Sequence, residues 1–104
     1  MSPLIDLLNE MKRRPALYIG NESLAKLAAF LRGYSYALDQ HCSMKTHEFL
    51  DGFREWIAKR FSVTISQSWE NIIQFQSGDE KEAMQMFWRL LDEYLARQQT
   101  GEKK

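Results

Sequence analysis

Apolar side chains return every three or four residues along most of this chain, the period of helices that bury one face, and five stretches carry the pattern. The first puts Leu4, Leu8 and Met11 on one stripe with Ile5 beside it. Ser2 is its expected N-cap and Pro3 its first helical residue, where a missing N–H is harmless. This helix must stop before Pro15, because proline fixes its own φ and pushes the preceding residue out of the helical region. The second stretch opens near Ser23 and aligns Leu24, Leu27, Ala28, Leu31, Tyr34 and Leu38. Gly33 interrupts it. A glycine inside a helix costs about 1 kcal/mol relative to alanine, so close approach of a neighbouring element, or a bend, is expected there.

The third stretch has the strongest period. It runs from Thr46 to about Phe61, with Phe49, Leu50, Phe53, Trp56, Ile57 and Phe61 on one side and Glu48, Asp51, Glu55 and Lys59 on the other. Residues 62–66 include β-branched side chains but have no second strand to pair with, so they read as a loop. Ser68 is placed to cap a short helix carrying Trp69, Ile72 and Ile73 and ending at Ser77-Gly78. Asp79 with Glu82 three residues later has the form of a capping box. The helix it starts turns Ala83, Phe87, Leu90, Leu91, Tyr94 and Leu95 inward. Short helices that each carry one apolar stripe must share a core. The expectation is therefore one all-α domain over residues 1–97, about five helices in an antiparallel, bundle-like arrangement, followed by a flexible polar tail over 98–104.

Composition narrows the partners. Fourteen basic residues cancel fourteen acidic ones in 104, so a polyanion would have to bind a segregated patch. Lys12-Arg13-Arg14 is one such cluster, but three cations at a helix C-terminus also complement the macrodipole with no ligand present. A helix-turn-helix over Trp56 to Ile73 would begin its reading helix at Ser66-Gln67-Ser68-Trp69-Glu70-Asn71, which has no Arg or Lys. Nucleic-acid binding is thus the second choice. A lone cysteine, Cys42, cannot form an internal disulfide, which fits a reducing compartment. The apolar start has no basic segment before it, and no apolar run approaches the roughly 20 residues that span a bilayer. A cytoplasmic protein without a membrane partner is expected.

Candidate chemistry is sparse. His41, Cys42 and His47 are all able to bind zinc, yet a structural site commonly needs two separated ligand pairs and only one cluster is present. Cys42 and either histidine would make a nucleophile and base, but adjacent side chains point apart and no oxyanion hole is evident. Glu10, Glu22, Asp51, Glu55, Asp92 and Glu93 lie on polar helix faces. No catalytic, metal or cofactor-binding set is assigned, and none of these residues marks an enzyme. Six Phe, three Trp and four Tyr are many rings for this volume, and Trp88 and Phe30 fall off the main stripes. Rings left outside a small core favour self-association as a homodimer, or a protein partner; the alternative is that these helices bury wider arcs than the stripes drawn above. The candidate contacts are Arg13, Arg14, Tyr18, Tyr34, Trp69 and Trp88. A small-molecule pocket lined by Tyr18, Tyr34, Trp56 and Trp69 is the remaining alternative.

The segment Arg14-Pro15-Ala16-Leu17-Tyr18-Ile19-Gly20 resembles the Arg-Pro-Gly-Met-Tyr-Ile-Gly stretch of the gyrase B type ATPase domain, but the following residues lack that family's Asn and acidic set and the chain lacks room for its sheet. A wider resemblance is to small uncharacterised bacterial proteins that join an Arg-Pro-x-x-Tyr-x-Gly loop to a Phe-Leu-x-Gly-Tyr helix, a Trp-Ile helix and a terminal acidic-aromatic helix. Here these are Arg14 to Gly20, Phe30 to Tyr34, Trp56-Ile57 and Asp79 to Leu95. That resemblance implies an accessory or immunity-like protein that binds a partner. Gly20 is expected to allow a tight turn, and Gly33 to admit the loop backbone, with Tyr18 and Tyr34 as packed neighbours.

Overall fold

Five α-helices make up the structure, a computed structural model that describes residues 3–14 and 23–99. They are α1 (Pro3–Arg13), α2 (Leu24–His41), α3 (Thr46–Arg60), α4 (Trp69–Phe75) and α5 (Glu80–Gln99), with no strand among the described residues. The protein is a single all-α domain. No helix is long and apolar enough to cross a membrane, among the described residues. Ser2, Tyr18, Gly20 and most of the Arg14 to Gly20 loop lie outside the described residues, as does the Tyr18–Tyr34 pairing.

Local chemistry sets the helix ends. The Ser23 hydroxyl accepts the Lys26 N–H at 3.3 Å and the Ser68 hydroxyl accepts the Asn71 N–H at 3.4 Å, each satisfying a donor with no intrahelical partner. At α5, Asp79 Oδ1 accepts the Glu82 N–H at 2.8 Å. Glu82 reaches back to the Gly78 N–H at 2.7 Å, one residue earlier than a standard capping box. The same helix continues two residues past Arg97. Helix α3 ends in a Schellman turn: Val63 N–H bonds the Ala58 carbonyl at 2.8 Å and Ser62 N–H the Lys59 carbonyl at 3.2 Å, with Ser62 at φ 56°. The loop expected over residues 62–66 is therefore started by a defined helix stop.

Phe53 of α3 sits at the centre of the core. Its ring lies 5.5 Å from Trp69 of α4, 5.9 Å from Phe87 and 5.5 Å from Tyr94 of α5, and 6.3 Å from Trp56 one turn on. Around this aromatic cluster the expected stripes converge: Leu4, Leu8 and Met11 from α1, Leu24, Leu27 and Leu31 from α2, Ile72 and Ile73 from α4, and Leu90 and Leu91 from α5. Every described buried side-chain nitrogen and oxygen has a hydrogen-bond partner, so the core carries no uncompensated polar group.

One expectation about packing is corrected. Trp88 and Phe30 are not surplus surface rings; both are half-buried against the core, with Trp88 4.7 Å from the Phe87 ring. These helices bury wider arcs than a single stripe. Among the described residues, the large apolar side chains left outside are instead Tyr36 (67% exposed), Ile65 (64%) and Phe75 (86%). Nothing among them comes within 4 Å of a β-carbon at Gly33, through which α2 runs; the loop expected to approach it lies outside the described residues. Gly33→Ala is accordingly expected to stabilise the domain by about 1 kcal/mol through helix propensity alone, read as a raised midpoint in urea unfolding. The close approach occurs at Gly52, over which the Tyr94 hydroxyl lies.

Candidate functional site

The corner between α2 and α3 is built on Asp39. Helix α3 starts at Lys45 with no side-chain cap of its own, and Asp39, most of a turn before the end of α2, supplies the missing acceptors. Its Oδ1 accepts the Thr46 N–H at 2.7 Å and the Thr46 hydroxyl at 2.8 Å; its Oδ2 accepts the His47 N–H at 3.0 Å and lies 2.9 Å from His47 Nδ1. Because the Thr46 proton goes to a carboxylate, the buried Ser35 hydroxyl is the donor in the Ser35–Thr46 contact. Partial desolvation pushes the Asp39 carboxyl up. The bonds from His47 and Thr46 outweigh it and hold the pKa at about 2.

A second tie joins α2 to α4. Arg32 grips Glu70 with two bonds, 2.9 and 2.6 Å, while its guanidinium lies 5.8 Å from the Trp69 ring centre. Desolvation raises the Glu70 pKa, but the Arg32 bond prevails and the net shift is downward; the bond to Glu70 in turn raises that of Arg32. A third tie is Arg54 of α3, whose Nε donates to the Gln67 carbonyl at 2.7 Å and fixes the approach to α4.

Between these ties lies an open groove of about 800 Å³. Tyr36, Met44, Leu50 and Trp69 give it apolar walls, and Arg32, Asp39, Arg54 and the imidazole of His47 line it with polar groups held in the bonds above. Lys45 and Asp51 stand on the same walls and take no part in those bonds. A smaller, mainly apolar pocket of about 380 Å³ lies among Leu4, Ile5, Phe49 and Leu95. Met44 and Lys45 line both cavities, so the two share a wall at the start of α3.

Stability should follow the Asp39 and Glu70 shifts. Both carboxyls have folded pKa values below the ordinary unfolded values of about 4, so their contribution is complete above that pH and is lost as pH falls toward the folded values. Thermal midpoints recorded between pH 6 and 2 should drop mainly below pH 4, and the Asp39→Asn variant should drop less steeply over that interval. Equal slopes in both proteins would contradict the role given to Asp39.

Of the five expected contacts among the described residues, Trp69 alone lines the groove, and it does so from the core, being only 3% exposed; Tyr18 lies outside them. Tyr34 and Trp88 are half-buried elsewhere, and Arg13 and Arg14 are exposed at the end of α1. The basic cluster there is partly matched: Lys12 pairs with Asp92 at 2.8 Å and Arg13 with Glu10 at 2.7 Å. Helix α4, considered as a reading helix, has seven residues, buries Trp69, Ile72 and Ile73, and commits Glu70 to Arg32. Cys42 is an exposed free thiol at the end of α2, and no group of three His, Cys, Asp or Glu is placed to hold a metal ion among the described residues.

The sequence reading missed Tyr36, Asp39, Lys45 and Arg54. Tyr36 carried a signal: it falls off the Leu31–Tyr34–Leu38 stripe, which points an aromatic ring outward. No family model matches the chain, and neither a curated protein nor a solved structure matches it.

Proposed function

We propose that this chain is a protein-binding module whose groove between α2, α3 and the start of α4 receives a segment of a partner. One observation carries this reading: Arg32, Asp39, His47 and Arg54 are held in bonds that brace the groove walls, while Tyr36 stands two-thirds exposed beside them. A reaction centre needs converging groups that remain available, whereas a contact surface needs a held shape and an accessible aromatic ring. The accessory or immunity-like role implied by the wider resemblance to small uncharacterised bacterial proteins agrees with it. To test this, a photoreactive phenylalanine analogue is placed at position 36, with position 92 on α5 as control, and irradiated in cells. Protein adducts from position 36 that disappear with Leu50→Arg are expected; equal adducts from both positions would refute the groove as the binding face.

Self-association is the second reading, and it rests on Phe75, whose ring at the end of α4 is 86% exposed. Phe75→Glu should then lower the mass found by sedimentation at high concentration to that of a monomer. A wild-type mass that is monomeric throughout would remove this reading and leave the groove untouched.

A further inference from the structure

We infer that the partner segment presents a carboxylate close to a large apolar side chain, the carboxylate at Lys45 and the apolar group in the pocket formed by Leu4, Ile5, Phe49 and Leu95. The inference rests on the groove being a protein-binding face and names what it selects. It follows from the wall that the two cavities share. Met44 and Lys45 belong to both, so an occupant that passes these side chains reaches a space that residues of three helices wall with hydrocarbon.

Among the described residues, Lys45 is the one charged residue lining the apolar pocket. Asp39, on the groove wall beside it, is held by Thr46 and His47, and no ion pair joins Lys45 to an acid among the described residues. An occupant with a lone cation there would meet like charge, and one without charge would leave Lys45 to water. A carboxylate flanked by an apolar group satisfies both features at once. Charge complementarity of this kind chooses among partners more than it adds affinity, so the expected signature is a preference.

The test is panning of a phage-displayed library of random 12-residue peptides on the full chain and on two variants. Lys45→Glu places an acid at a helix start, where the macrodipole favours it, so that variant should fold. Leu95→Arg fills the apolar pocket, and its circular dichroism melt shows whether it is folded. The wild type should enrich peptides with Asp or Glu within three positions of Leu, Ile, Phe or Met. Lys45→Glu should weaken a selected peptide about tenfold, with affinity restored when the peptide's acid becomes Lys. Folded Leu95→Arg should lose the apolar preference. Enrichment of the same peptides by the wild type and Lys45→Glu would overturn the inference while leaving the groove reading standing, provided that Leu50→Arg abolishes their binding. Absence of enrichment on the wild type would overturn the groove reading and the inference with it.

Discussion

Truncating Phe53 to alanine should cost about 3–5 kcal/mol, close to the whole stability of many domains of this size. The residue is fully buried and its ring touches those of Trp56, Trp69, Phe87 and Tyr94, so the cavity would open where α3, α4 and α5 meet. The rings around it are large and mutually stacked, Trp69 lying 5.2 Å from Phe87, which leaves little freedom to collapse into the space. Urea unfolding followed by tryptophan fluorescence reads the effect, with Phe75→Ala as a comparison: that ring is exposed, and its loss should change stability by less than about 0.5 kcal/mol. A cost below about 1 kcal/mol for Phe53→Ala would mean that the aromatic cluster is not the centre of the fold.

Gly52 should show the opposite of ordinary helix behaviour. A β-carbon at this position would sit 2.5 Å from the Tyr94 hydroxyl. The ring bearing that hydroxyl is wedged against Phe49, Phe53 and Trp56, with centroids 5.5 to 5.7 Å away, so it cannot swing aside freely. Overpacking of this kind costs about 1–3 kcal/mol, more than the roughly 1 kcal/mol that alanine gains over glycine in a helix. Gly52→Ala should therefore destabilise. In a Tyr94→Phe background the nearest atom is the ring carbon at 3.8 Å, an ordinary contact, and the same substitution should become stabilising by up to about 1 kcal/mol. The change of sign is the test, and it is measured by a double-mutant cycle in urea. An equal effect in both backgrounds would refute the contact.

The helices themselves are legible in the spacing. Leu24, Leu27, Ala28 and Leu31, or Phe53 and Ile57, point inward because a period near 3.6 leaves no other common face. Caps within one turn of their donors, at Ser23, Ser68 and Asp79, are legible for the same reason: the partner is three residues away. What lies beyond local reach is not. Asp39 caps a helix that begins seven residues later, across a reversal of the chain, and nothing in the pattern distinguishes it from a solvated acid. Arg32 finds Glu70 38 residues on. The two glycines of α2 and α3 look alike in sequence, yet among the described residues Gly33 has nothing over it and Gly52 faces Tyr94, which depends on where α5 is laid down. The groove escaped the sequence reading because its walls are joined by such distant pairs.

Methyl NMR of methionine on the crosslinked partner's complex tests the groove most directly. Met44 lines the groove, whereas Met11 and Met84 are buried in the core and serve as internal references. Titration with the partner should move the Met44 methyl resonance while those of Met11 and Met84 stay in place. Binding that leaves Met44 unmoved would contradict the assignment of this groove as the site of recognition.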